Sequence, residues 1–544
     1  MGLFRRQKPP QDGAQPPVRS LSQADAVQGQ RRAQNRPQGR LPARAGARLF
    51  DGSRIDRLTA DWTATPAKAD TIIRQHQRVL VARAREQARN NDYARAFVRL
   101  ARTHVAGPRG VLLQAQSRGD DGRFDTLANA AIEDAFALWG RRGSCDVAGL
   151  KSWRALQAAA VASAVVDGEF MFRMIFGADA GPFGFALQML DPQRCNPQHD
   201  EDDLPGGRFI RAGIEFNQYG RPLAFHFADD QGEDAYGYSH SRRDSLRVPA
   251  AEIIHGFLPE FTGQKRGLPW MATGLFRMRQ LAGFEDAAVV NARVGASKMG
   301  ALQWRDGFGP EYDEDAALHM PLETEPGEFM FLPAGAELRE WAPQFPANEF
   351  ASFNKAMLRG IAAGFGVLYN NLANDLEGVN FSSIRQGTLD EREWWKELQE
   401  WLIESLVQPV FDAWLPRALL GGHIRVKGKA LKPERLARYA QVAWQPRRWA
   451  WIDPQSDIQA AVAAKNQLLM SPGQIIREQG RDPSDVWREI AGDIQEMRDA
   501  GIPEEFIKSA VFDKNLQAAV MAETAKQSRP RAGNQEDAAD AGNA

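Results

Sequence analysis

The apolar residues of this chain change their period twice, and that alone restricts the fold. Over 70–104 they recur three and four apart (Ile72, Ile73, Val79, Leu80, Ala84, then Tyr93, Phe97, Val98, Leu100, Ala101). Asn90-Asn91-Asp92 predicts a break between two helices, and Gly107-Pro108 a stop. Residues 127–139 and 150–166 predict two more helices. From Asp167 the period falls to two. Segments 169–176, 185–190, 213–216, 222–227 and 253–258 read as short strands parted by Gly, Pro, Asp and Asn. After Gly267-Leu268-Pro269 the helical spacing returns over 270–297, over 350–363 and over 384–415. Pro409 is expected to kink the last of these, because it lacks an amide proton and crowds the preceding turn. A smaller α/β part is expected over 424–501. Helices and strands grouped in separate runs predict an α+β fold with antiparallel sheet.

With 544 residues the chain is long enough for two to four domains or sub-domains. Its 43% apolar and 25% charged residues exclude a wholly disordered, collagenous or membrane-embedded protein. Two cysteines, Cys145 and Cys195, cannot make a disulfide framework and have no metal-ligand spacing, so a reducing cytoplasm is expected. The longest apolar run, 155–166, is far short of the roughly 20 residues that cross a bilayer, and no membrane partner is expected. Asn380-Phe381-Ser382 matches the glycosylation pattern, but with no secretion signal it reads as a chance match.

The net charge of -1 conceals two opposed segments. Residues 1–48 hold ten basic side chains against two acids, a balance of +8, with Gln, Pro and Gly filling most gaps. Such a segment cannot repay chain entropy by burial and is expected to be a disordered basic arm. Between Asp306 and Glu349 eleven acids face Arg339 alone, a balance of -10. Apolar residues punctuate that stretch, and residues 327–341 read as a strand, a Pro333-Ala334-Gly335 turn and a second strand, a hairpin-like unit. Neutrality of the whole chain therefore says nothing against a polyanionic partner.

Catalytic patterns are missing. There is no phosphate loop, no HExxH and no GxSxG, and Gly364-Phe365-Gly366 lacks a third glycine. His199-Asp200-Glu201-Asp202-Asp203 beside Pro205-Gly206-Gly207 reads as a solvated loop rather than a metal site. His255, among Ile253, Ile254 and Phe257, reads as a packed sheet residue, since no nucleophile accompanies it. No enzyme, metal or cofactor is expected. Residues 360–372 end a helix in glycines and enter an asparagine-rich loop that closes at Asn380-Phe381-Ser382-Ser383, where Ser382 or Ser383 is the expected N-cap of the long helix. Spacing alone makes this a helix-loop-helix, and the tryptophans of the long helix core or subunit interface.

An ordered set of short motifs goes further. Ala88-Arg89-Asn90-Asn91-Asp92-Tyr93-Ala94 and Thr103-His104-Val105-Ala106-Gly107 come first, then Asp167-Gly168-Glu169, His255-Gly256-Phe257 and Gly263-Gln264-Lys265-Arg266-Gly267-Leu268-Pro269-Trp270. Residues 359–369, Asn380-Phe381-Ser382-Ser383-Ile384-Arg385 and Trp451-Ile452-Asp453-Pro454 complete it. Each is weak alone, but the ordered set, spanning about 61–501, resembles the lambda-type portal proteins of tailed bacteriophages.

The resemblance implies an α+β portal fold with a helical and β wing, paired stem helices, a clip, a long kinked helix and a crown. On this chain it implies a basic arm over 1–50, wing over 51–268, stem helices over 269–299 and 347–363, and an acidic clip over 300–346. A tunnel loop over 364–383, the long helix over 384–415, wing and crown over 416–502 and a tail over 503–544 follow. It also implies a ring, usually a dodecamer, at one capsid vertex of the virion, assembled in the host cytoplasm. Its partners would be double-stranded DNA in transit, the terminase large subunit, the major capsid or scaffold protein and a head-completion protein. Expected channel residues are Asn370, Asn371, Asn374, Asn380 and Arg385; expected terminase contacts are Asp306, Glu311, Asp313, Glu314 and Asp315. The residues leave two alternatives: a metal-dependent nucleic-acid-processing enzyme using acids such as Asp313 and Asp315, or a monomeric adaptor working through the basic arm.

Overall fold

Asn91 makes the first corner of the structure. Its extended backbone ends helix α1 (Ala69–Asn90), and its side chain accepts the amides of Tyr93 and Ala94, at 3.0 Å each, to start α2 (Asp92–Ala101). The computed structural model describes residues 66–228, 245–296, 300–304, 336–340, 347–449 and 454–504, with Arg57, Asp61 and Ile507. The basic arm, most of the acidic segment with Asp306, Glu311, Asp313, Glu314 and Asp315, and the tail lie outside the described residues. The architecture below is that of the unit beginning at Ala67.

Helix α2 widens into a π turn, Arg102–Ala106, which Gly107 closes at φ 78°. The strand β1 (Leu112–Ala115) and helices α3 (Thr126–Trp139) and α4 (Trp153–Asp167) follow. Asp125 and Ser152 cap the two helices, and Gly168, at φ 86°, ends α4. The five strands expected in the period-two region form, joined by three more at 201–204, 208–211 and 245–249. Strands β2 (Glu169–Phe176) and β3 (Phe185–Leu190) pair antiparallel. Next come β4 (Glu201–Leu204), β5 (Arg208–Arg211), β6 (Ile214–Phe216), β7 (Pro222–Ala228), β8 (Ser245–Pro249) and β9 (Ile253–Phe257). One sheet has the order β3-β2-β9; the other is the five-stranded meander β4 to β8. The acidic run expected to be a solvated loop is in part β4, because its backbone pairs with β5 and Arg211 bonds Asp202 across the ladder.

Helix α5 (Leu275–Ala296) leads to β10 (Gly300–Trp304); β11 (Ala336–Glu340) returns to α6 (Ala347–Phe365). The second strand expected at 327–341 therefore exists, but its described partner is β10; the first half of that hairpin lies outside the described residues. After α7 (Tyr369–Ala373) comes α8 (Phe381–Leu402), a π turn Ile403–Val407 and α9 (Gln408–Leu420). The single long helix thus divides, with the irregularity ahead of Pro409. Pro409 sits in the first turn of α9, where the amide of Gln408 already reaches back five residues to Ile403. The chain then runs through β12 (Arg425–Val426), β13 (Lys429–Ala430), α10 (Leu436–Tyr439) and β14 (Val442–Gln445), which pairs with β1. Helices α11 (Pro454–Asn466), α12 (Pro472–Glu478) and α13 (Pro483–Asp499) follow.

One core joins most of these elements: Phe97, Trp139, Leu156, Val161, Phe170, Phe172 and Phe185 meet Trp395, Leu402, Leu406, Phe411 and Trp414, all buried. The tryptophans expected in the core of the long helix are there, with Trp395 and Trp414 almost fully buried. A smaller core of Met171, Ile214, Phe216, Phe225, Phe227 and Val248 lies against the meander. No helix among the described residues is long and apolar enough to cross a membrane.

Candidate DNA-channel segment and its buried support

Helices α5 and α6 pack antiparallel. Thr273 Oγ1 donates to the Gly364 carbonyl at 3.0 Å near one end, and Phe284 lies against Phe350 and Phe353, 5.5 and 4.7 Å between rings, toward the other. Small residues allow the approach: Gly274 faces the Phe365 ring and Gly360 faces Arg277. The ladder β10–β11 continues the pair in the same register sense.

Helix α6 ends in a paired turn. The Val367 amide reaches Ala362 O at 3.0 Å and the Gly366 amide reaches Ala363 O, with Gly366 at φ 69°. The segment expected to be an open asparagine loop instead begins as the short helix α7. Its polar residues hold one another. Tyr369 Oη donates to Asp375 Oδ2 at 2.6 Å, Lys355 Nζ lies 3.0 Å from the same oxygen, and Asn370 Nδ2 donates to the Asp375 carbonyl at 2.6 Å. The bond from Tyr369, with those from the Glu377 amide and Lys355, holds the Asp375 carboxyl down at about 2. Burial, then the bond to Asp375, pushes the Tyr369 phenol up to about 12. Asn371 Nδ2 donates to Glu391 Oε2, whose other oxygen accepts Trp395 Nε1 at 3.2 Å; burial raises this carboxyl.

Asn374 takes the left-handed conformation, φ 53°, that turns the chain out of α7. Asn380, not Ser382 or Ser383, caps α8: its Oδ1 accepts the Ser383 amide at 2.8 Å and the Ser382 hydroxyl at 3.0 Å. An amide side chain spans this N-cap geometry, and Ser383 contributes only its backbone. Arg385 pairs with Asp457 of α11 at 3.2 Å. The five expected channel residues thus lie along one segment, three of them in local side-chain bonds and Arg385 in an ion pair to α11. The exposed tip is Leu376-Glu377-Gly378, with Leu376 65% exposed, which spacing did not single out; an apolar residue between a left-handed Asn and Gly378 was the available signal.

Three of the sequence motifs converge in one buried cluster that supports the start of α5. Glu169 and Arg266 are fully buried, and Arg266 Nη2 lies 2.6 Å from Glu169 Oε1. Arg266 also donates to the carbonyls of Pro192 and Cys195, in the turn after β3, and of Ala212, between β5 and β6 of the meander. The second Glu169 oxygen meets His255 Nε2 at 2.8 Å and the Gly267 amide at 3.1 Å, and Gln77 of α1 bridges Glu169 to the Gly267 carbonyl. Despite burial, Arg266 and His255 hold the Glu169 carboxyl down at about 2. His255 is the packed sheet residue expected, against Phe225 and Phe257, yet its ring also completes this network.

A second motif residue, His104, sits between Trp395 and Trp449, with ring centroids at 5.2 and 5.9 Å. Its Nδ1 accepts from Trp449 Nε1 at 2.8 Å and meets Arg447; burial, then Arg447, pushes it down to about 4, so the ring is neutral. Among the described residues no group of three His, Cys, Asp or Glu could hold a metal.

Residues 55–399 match the family described as "Phage portal protein, lambda family". The "Probable portal protein" of Halomonas phage phiHAP-1 is 32% identical over 469 residues, covering 85% of this chain and 89% of that protein. "Portal protein B" of Escherichia phage lambda is 23% identical, covering 80% and 87%. Among solved structures, the neck of an empty gene transfer agent particle computed with C6 symmetry aligns at TM-score 0.40 and 15% identity, over 78% of this chain and 98% of that one. The neck of the native particle computed with C12 symmetry gives TM-score 0.40 and 16% identity, over 75% and 94%. Family membership displaces the nuclease alternative built on Asp313 and Asp315. The chain belongs to the lambda family of phage portal proteins, structural and non-enzymatic components of the virion at the capsid vertex.

Proposed function

We propose that the chain assembles into a ring, a dodecamer, at one capsid vertex, through which terminase packages double-stranded DNA and through which the DNA later leaves. In this reading α5 and α6 are the stem, residues 300–346 the clip that meets terminase and afterwards head-completion and tail proteins, and residues 364–383 the tunnel loop. The segments up to 268 form the wing, and those after 416 wing and crown. The major capsid or scaffold protein surrounds the ring.

The observation that supports this reading most is the run from β10–β11 through the antiparallel α5–α6 pair into the tight turn and exposed tip ahead of α8. Such a rod with an acidic connection at one end and a stiff tip at the other suits a channel subunit. Asn370, Asn371 and Asn380 hold the tip, Arg385 anchors it to α11, and Asn374 with Leu376-Glu377-Gly378 faces the passing DNA. The clip acids, Asp306, Glu311, Asp313, Glu314 and Asp315 among them, multiplied about twelvefold, repel phosphates rather than trap them, which favours sliding. Native mass spectrometry and electron microscopy of the purified protein at assembly concentration test the ring. A monomer without a central pore overturns it.

A further inference from the structure

Three separate parts of the chain build a small pocket that the channel reading does not use. The π turn and Gly107 deliver Arg109 beside Gly110, the end of β14 delivers Gln445, Arg447 and Arg448, and the turn after α12 delivers Gly480. The pocket holds about 150 Å³, several times the roughly 30 Å³ share of one liquid water. Among the described residues three guanidinium groups line it and no carboxylate does; Asp482 and Asp485 line the adjoining cleft instead.

The donors here are under-used. Arg109 Nη2 donates to the Gly480 carbonyl at 3.1 Å, and Arg447 meets His104, itself neutral. Among the described residues no carboxylate lies within ion-pair distance of Arg109, Arg447 or Arg448. Arg448 Nε is buried without a partner, and so is Nε2 of Gln445, a residue only 7% exposed. Orphaned buried donors cost free energy, and several arginines without counter-charge add to it. Burial, then the nearby Arg392, lowers the Arg447 guanidinium.

We propose that this pocket binds a phosphate group, with the Arg109 and Arg448 forks and the Gln445 amide as its donors. Each arginine fork can present two parallel N–H groups to two oxygens of one phosphate. The phosphate belongs either to a DNA backbone or to free inorganic phosphate. The site rests on its own geometry and not on the ring.

The test titrates inorganic phosphate into the full-length protein and follows ³¹P line width and calorimetric heat, against chloride at equal ionic strength. Wild type is expected to saturate. The double variant R109Q/R448Q is expected to bind about tenfold more weakly or worse, with unchanged circular dichroism in chloride, and R448K to fall between. A short DNA duplex that displaces phosphate, and whose own binding drops in the double variant, identifies a backbone phosphate. Phosphate binding that the duplex leaves untouched identifies the free ion. Absence of saturable binding by wild type, or undiminished binding by a folded double variant, overturns the proposal. If the double variant does not fold, the wild-type titration with R448K decides.

Discussion

Glu169 and Arg266, ninety-seven residues apart, meet at 2.6 Å with neither side chain exposed. Such a pair is tolerable only because every remaining donor and lone pair is taken up, by His255, Gln77, the Gly267 amide and the carbonyls of Pro192, Cys195 and Ala212. It fixes four elements around the start of α5.

Removing one partner should therefore cost more than removing both. Arg266→Met is expected to lose about 3–5 kcal/mol in urea unfolding, because it strands a buried carboxylate. Adding Glu169→Leu to it should recover a large part of that loss. Equal losses for the single and double variants would contradict the pairing.

The pH dependence has two opposed components. His104 is held down at about 4 against an ordinary 6.5, so the unfolded chain takes up a proton first, and stability falls as pH drops from 6.5 toward 4. Glu133, accepting the Ala115 amide, is pushed up by burial to about 7; its folded form keeps a proton that the unfolded form releases, and stability falls as pH rises from 4.5 to 7. Unfolding midpoints across pH 4 to 7 should fall with rising pH in H104N, where only the Glu133 component is left, and rise with pH in E133Q, where only the His104 component is left, with the wild type flatter than either.

Glycines at the motif cluster are expected to be intolerant for a steric reason. A Cβ on Gly256 would stand 2.1 Å from the Phe170 ring, and one on Gly267 2.0 Å from the Gly168 carbonyl. Alanine at either should cost several kcal/mol or abolish soluble expression. Gly177 has φ 98° and ψ -159° but nothing within 4 Å, and Gly177→Ala should cost only about 1–3 kcal/mol of backbone strain.

Asn380→Ala removes the acceptor that starts α8 and should cost about 1 kcal/mol, whereas Ser383→Ala, which leaves the donating amide in place, should be near neutral. Thermal unfolding of the two variants side by side separates them.

Deletion of residues 1–48 is expected to leave ring assembly intact in electron micrographs, since that arm is too polar to build a subunit interface. Loss of rings on deletion would assign the arm an assembly role.

Much of the layout was legible in the period of the apolar residues. Strands β2 and β3 fall where alternation predicts, and the corner at Asn91 and the stop at Gly107 follow from local capping chemistry. Strand β4 was not legible, since Glu201-Asp202-Asp203-Leu204 does not alternate and becomes a strand only through pairing with β5. Nor was the division of the long helix, because Pro409 announces an irregularity without saying which turn absorbs it.

The sequence by itself determined most of the element types, the segregation of charge and, through its ordered motifs, the family. Only the tertiary structure decided that Asp167-Gly168-Glu169, His255-Gly256 and Gly263 to Trp270 are one cluster, that Asn370, Asn371 and Asn380 bond to Asp375, Glu391 and Ser383, and that Arg109, Arg447 and Arg448 share a pocket. Periodicity reports which face of a local element is buried, and that is a property of neighbouring residues. The partner of a buried charge depends on the path of the whole chain, which spacing along it does not record.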